Sequence, residues 1–174
     1  MPSVAMITAY CLVGVGISWL IWLGFRAPRL KITCVPIREP YRHEWDDTGG
    51  HQILFRIAVE NLSETKGVPR AEIRVSNMKP SIQYVPCNLL PMNEKPEVKE
   101  VSLPPRTPKY FDLFQQNHPN GNLYLWDTVT WSPKKIPSTD YVLTISVSGD
   151  GAKSKSQNFE LIREGSVWVL LATD

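Results

Sequence analysis

The first charged side chain in this chain is Arg26; from Met1 to Phe25 there is none. A run of that kind is at home in lipid, where a helix is the one single-segment structure that satisfies its own backbone. From Val4 to Phe25 a helix spans about 33 Å, against a hydrocarbon core of roughly 30 Å. Tyr10, Trp19 and Trp22 fall where amphipathic rings favour the interfaces. A cleaved secretory signal would need a basic residue ahead of the run and a small-x-small site after it. The sequence instead offers Met-Pro-Ser before it and Gly-Phe-Arg-Ala-Pro after it. A lipoprotein signal would set a small residue before its cysteine, and Cys11 follows Tyr10. Residues 1–28 therefore read as one retained transmembrane anchor, and residues 29–174 as one soluble domain. Gly14 and Gly16 lack the small-xxx-small spacing, so the helix carries no self-association motif.

Arg26, Arg29, Lys31, Arg38 and Arg42 all follow the apolar run. By the positive-inside rule the soluble domain is expected in the cytoplasm. The opposite, extracytoplasmic topology is the alternative. Cys34 and Cys87 are the one cysteine pair the soluble domain could form. Sequence separation says nothing about Cα distance, so pairing stays open, although low cysteine usage suits two free thiols.

Beyond the anchor the dominant period is two. Leu30, Ile32 and Cys34 alternate with Lys31 and Thr33; Ile53, Phe55, Ile57 and Val59 oppose Arg56 and Glu60. Ala71, Ile73 and Val75 alternate with Arg70, Glu72 and Arg74; Ile82 and Tyr84 flank Gln83; Val101 and Leu103 flank Ser102. Later, Tyr141, Leu143, Ile145 and Val147 oppose Thr144, Ser146 and Ser148. Phe159 and Leu161 follow, and Val167, Val169 and Leu171 form the last apolar face. Each pattern predicts a strand with one buried side. Fifteen prolines scattered along the chain favour strands and turns over helices. No window after residue 26 holds a capped helical period. The expectation is an all-β, two-sheet antiparallel sandwich of about seven to nine strands.

Two segments depart from a minimal sandwich. Residues 86–109 hold six prolines and read as a stiff surface excursion ending in an edge strand. Residues 110–137 hold Tyr110, Phe111, Phe114, Tyr124, Trp126 and Trp131. From Leu123 to Trp131 both parities are apolar, as in a strand buried on both faces or offering one to a partner.

The run Val59-Glu60-Asn61-Leu62-Ser63, the alternation Ala71-x-Ile73-x-Val75 and the segment from Asp140 to Gly149 together resemble strands B, C and F of immunoglobulin-like or fibronectin-III-like domains. Tyr141 stands near the strand corner where such domains often place a tyrosine. The cysteine–tryptophan–cysteine spacing of true immunoglobulin domains is absent, since Trp126 and Trp131 follow both cysteines. The resemblance is at the level of fold and implies a scaffold used for binding and assembly.

Candidate sites are few. His43, Glu44, Asp46, Asp47 and His51 could ligate a divalent cation. They lack the cysteine spacing of structural zinc and the alternate acids of a calcium loop, so the simpler reading is a solvated connection. No Gly-x-Ser-x-Gly elbow or phosphate-cradling glycine loop occurs. Glu97, Glu100 and Asp112 form no specific acid pair, and His118 sits in a turn-like Asn-His-Pro-Asn-Gly. Asn61-Leu62-Ser63 fits a glycosylation acceptor, but its place at a strand end predicts an Asx-type turn. A net charge of +2 without a basic run among aromatics gives no nucleic-acid footprint.

The expectation is a non-enzymatic, membrane-anchored module with no metal or cofactor, docking a protein partner at the membrane surface. Tyr124, Trp126 and Trp131 are its expected binding residues, by β-augmentation or aromatic docking. The alternatives are an extracytoplasmic ligand- or glycan-binding sandwich, and a metal-dependent hydrolase using the His43–His51 loop.

Overall fold

The structure is a computed structural model that describes residues 27–35, 43–44, 51–91, 101–118, 121–126, 133–165 and 167–173, with Val15, Ile17 and Ser18. Among these residues thirteen strands assemble into two antiparallel sheets. The anchor expected over residues 1–28 lies outside them, except for the helical Val15, Ile17 and Ser18 and the domain-side Ala27 and Pro28. Among the described residues no helix is long and apolar enough to cross a membrane.

The first sheet runs β1 (Leu30–Cys34), β3 (His51–Asn61), β8 (Pro108–His118), β9 (Asn122–Leu125) and β10 (Lys134–Ile136). Short β2 (His43–Glu44) and β6 (Leu90–Pro91) pair with β3 and β8. The second sheet runs β13 (Val167–Thr173), β12 (Lys155–Glu164), β11 (Tyr141–Ser148), β4 (Val68–Lys79) and β5 (Cys87–Asn88), with β7 (Val101–Leu103) also paired to β4. The predicted alternations supply the core. Phe55, Ile57 and Val59 of β3 face inward, and Ile73 and Val75 of β4 with Leu143, Ile145 and Val147 of β11 do the same from the other sheet. Burying a side chain of this size is worth about 1.5–3 kcal/mol, and the two inner faces together form one contiguous core.

Several segments differ from expectation. Ile82 and Tyr84 form no strand; they lie in turns and rest half-buried against the core. The start of the proline-rich excursion is embedded, with Cys87 and Leu89 buried, while β7 pairs with the first residues of β4 as an edge element does. Residues 92–100 lie outside the described residues. The segment from 108 to 118 is a central strand: β3 flanks one side of β8, and β6 and β9 flank the other. A bulge hides it from a period-two reading. Phe55 pairs with Phe114 and Arg56 with Asp112, which leaves Leu113 as the extra residue. Phe111, Leu113 and Phe114 are then all buried although their parity changes.

The last strand is inverted. Trp168, 1% exposed, and not Val167 or Leu171, fills the core from β13. Every residue from Val167 to Ala172 is apolar, so alternation carries no sign, and the largest side chain takes the inside. The core tryptophan is therefore Trp168, where the sequence drew attention to Trp126 and Trp131.

At the start of β11, Tyr141 is buried and its hydroxyl donates to the carbonyl of Pro137 at 2.8 Å. That is the geometry of a tyrosine corner. Burial pushes the Tyr141 phenol pKa up.

Candidate functional site

The three aromatic residues expected to bind a partner do not form one surface among the described residues. Leu123 and Leu125 of β9 point inward, so Tyr124 lies on the outer face, half-buried between Gln115 and Lys135 of the adjoining strands. Trp126 continues the ladder, its N–H donating to Leu113 at 3.1 Å. Its ring is half-buried, and among the described residues the indole N–H is buried without a hydrogen-bond partner. That indole is partly enclosed and is not displayed as a flat platform. Trp131 lies outside the described residues.

Of the polar candidates, Asp46 and Asp47 also lie outside the described residues. The backbone register places Glu44 opposite His51, and His51 opposite His118, in one cross-strand row. Among the described residues no three histidine, cysteine or acidic side chains gather as a metal site would require. Asp112 is committed: its carboxylate accepts from Arg56 Nε at 2.5 Å on the outer face of the first sheet, the two side chains only 13% and 14% exposed. Glu97 and Glu100 lie outside the described residues.

Cys34 and Cys87 form no disulfide with each other. Burial raises the Cys34 pKa to about 11, so at neutral pH it is held as the unreactive thiol.

Asn61 is fully buried. Its amide donates to the carbonyls of Lys66 at 2.7 Å and Leu103 at 3.2 Å, and its oxygen accepts from the Ser63 N–H at 3.0 Å. This is the Asx-type turn expected there. The amide nitrogen of a glycosylation acceptor is therefore spent inside the fold.

The sheet edges discriminate better than any pocket. An unpaired strand edge invites another chain, and proteins blunt it with proline, charge or brevity. Within the first sheet, β1 is five residues long, carries Lys31 and is preceded by Pro28. Its opposite edge, β10, is three residues between Pro133 and Pro137, with two lysines. In the second sheet β5 is two residues. At the far end of that sheet, β13 runs seven residues, Val-Trp-Val-Leu-Leu-Ala-Thr, with no charge and no proline. Among the described residues it pairs with β12 alone. Three apolar side chains stand exposed on the outer face beside this edge, Val142 at 47%, Val167 at 46% and Leu171 at 42%, interleaved with Glu160 and Glu164. The register sets Val142 opposite Glu160 and Glu160 opposite Leu171, so these side chains share one exposed face. The signal was present in the sequence as an uncharged, proline-free heptapeptide; what concealed it was the expectation that Val167, Val169 and Leu171 face inward.

At the end of the sandwich where the chain enters at Ala27, a cleft of about 420 Å³ is lined by Ala27, Arg29, Ser63, Thr65, Glu64 and Arg106. Arg106 is ion-paired with Glu64 at 3.0 Å. No protein-family model, curated protein or solved structure matches the chain.

Proposed function

We propose that this chain is a membrane-tethered interaction module whose contact surface is the edge of β13, unpaired among the described residues, and the exposed apolar side chains beside it. The observation that carries the reading is the seven-residue, uncharged, proline-free edge in a fold whose other described edges are all blunted. An extended segment of a partner would add to β13 by main-chain hydrogen bonds, and its side chains would meet Val167, Leu171 and Val142. This moves the contact away from Tyr124, Trp126 and Trp131, which stand on the other sheet or outside the described residues.

The tether rests on the uncharged run from Met1 to Phe25. Val15 and Ile17 within it are helical and 68% and 52% exposed. The cytoplasmic placement rests on the basic residues that follow.

An immunoglobulin-like topology is the finer fold reading. The strands matched by resemblance to B, C and F are β3, β4 and β11. β3 lies between β1 and β8 in one sheet, and β11 lies between β4 and β12 in the other. Reading β8 as E and β12 as G gives the order A-B-E facing G-F-C, and the Tyr141–Pro137 bond supports it. β13 is then an added strand beyond G, which is why the sheet ends on an unusual edge.

The test is extraction combined with binding. The full chain should resist alkaline carbonate extraction from membranes. Leu171→Lys should abolish co-purification of its membrane partner while the domain stays folded. Retained binding in a folded Leu171→Lys variant would reject the edge, and carbonate release would reject the tether.

A further inference from the structure

We propose that the end of the sandwich nearest the anchor is a docking surface for the anionic headgroups of the membrane that holds the chain. This deepens the tethered reading above and rests on it.

Asn61 organises this end. Leu62 N–H donates to the Arg29 carbonyl at 2.8 Å, and Arg106 N–H donates to the Asn61 carbonyl at 2.9 Å. The Asn61 side chain holds Lys66 and Leu103. Leu103 pairs with Val68, and the turn at Gly149 packs on Val68 and Ala71, with Asp150 N–H donating to the Pro69 carbonyl at 3.2 Å. The entry segment, the β3–β4 loop, the β7–β8 connection and the β11–β12 turn therefore share one pole.

These segments carry Arg29, Lys66, Arg106 and Lys153 against Glu64 and Asp150, and the strand ends that open on them add Lys31, Arg70, Lys109 and Lys155 against Glu60 and Glu72. Arg106 holds Glu64, and Arg70 holds Asp150. Arg29, Lys66, Lys153 and Lys155 are exposed and have no carboxylate partner among the described residues. In a chain with a formal net charge of +2, four uncompensated cations at one end are a concentration of charge and not an average.

Distance decides what they meet. Pro28 and Leu30 are buried in the domain, so Arg26 and Ala27 alone separate it from the apolar run. The three Cα–Cα steps from Phe25 to Pro28 reach at most about 11 Å, comparable with the Debye length of about 8 Å at physiological salt. The opposite pole lies roughly 40 Å away along the twelve residues of β4. Lysines act as point charges without the bidentate geometry of arginine, so the surface selects negative charge over headgroup identity.

The test uses the full chain in lipid nanodiscs of phosphatidylcholine, or of phosphatidylcholine with 30% phosphatidylglycerol as the chosen mixture. Hydrogen exchange of the 62–67 and 149–154 loops is followed by mass spectrometry. Exchange should slow severalfold in anionic discs and not at the opposite 137–140 turn. The effect should vanish at about 0.5 M salt and in the triple variant Lys66→Glu, Lys153→Glu, Lys155→Glu. Equal exchange in both disc types overturns the proposal while incorporation itself upholds the anchor; failure to incorporate overturns the anchor instead. Slowing in neutral discs on adding inorganic phosphate at matched ionic strength would assign the site to free phosphate and also overturn the lipid proposal.

Discussion

The buried amide of Asn61 donates to the carbonyl of Leu103, forty-two residues further along the chain, and to the carbonyl of Lys66 in the adjoining loop. One side chain thereby fixes the end of β3, the loop after it and the end of β7. Replacing it with alanine strands a buried carbonyl and frees the Ser63 N–H. Asn61→Ala should cost about 2–3 kcal/mol in urea unfolding, and an expression host that glycosylates should leave the folded protein unmodified at this residue.

Gly149 is held for space. Its φ is not in the left-handed region, yet an added Cβ would lie 2.5 Å from Val68 Cγ1 and 3.2 Å from Ala71 Cα. Gly149→Ala should destabilise by about 1–3 kcal/mol through overpacking. Gly149→Ala combined with Val68→Ala should lose less than the sum of the two single changes, because the second removes the atom the first collides with. An additive double-mutant cycle by denaturant unfolding would contradict this packing.

Tyr141→Phe removes the hydroxyl that bonds Pro137 and should cost about 1 kcal/mol. The phenol pKa is raised in the folded state by burial. Its contribution is thus fully present below the ordinary tyrosine range near 10 and is lost as pH rises through the higher folded value. Alkaline unfolding above about pH 10 should begin later in Tyr141→Phe, once both curves are normalised at neutral pH.

Cys34 is the clearest chemical probe of local opening. With its pKa lifted by burial from 9.0 to about 11, its thiolate fraction at pH 8 falls about a hundredfold. In a variant retaining Cys34 as its sole cysteine, a thiol reagent at pH 8 should react at least about a hundredfold more slowly than after denaturation. Equal rates would show that β1 does not shield it.

The sequence made the strands legible wherever one face alone was apolar. β3, β4, β7, β11 and β12 all place the predicted residues inside, because Arg56, Glu72, Ser102 and Thr144 leave no doubt about the solvent side. Legibility ended where that contrast failed. In β8 a bulge at Leu113 shifts the parity of the buried residues, so a central strand shows no period-two pattern in the sequence. In β13 the uncharged run from Val167 to Thr173 offers two apolar faces. Taking Val167, Val169 and Leu171 as the buried face put Trp168 on the wrong side. The same ambiguity hid the candidate contact surface, since an edge becomes visible once the neighbour of every strand is known. Tyr124 and Trp126 drew attention by size, which measures what a side chain can bury and not whether it is already enclosed.

The most direct test of the account is site-specific photocrosslinking of the full chain in intact membranes. A photoreactive residue is placed at Val167 or Leu171 on β13, and at Tyr124 or Lys135 on the outer face of the other sheet. A discrete protein adduct is expected from Val167 and Leu171, lost with Val142→Glu, and none from Tyr124 or Lys135. Adducts from Tyr124 and Lys135 with a silent β13 would contradict it and return the contact to the aromatic segment.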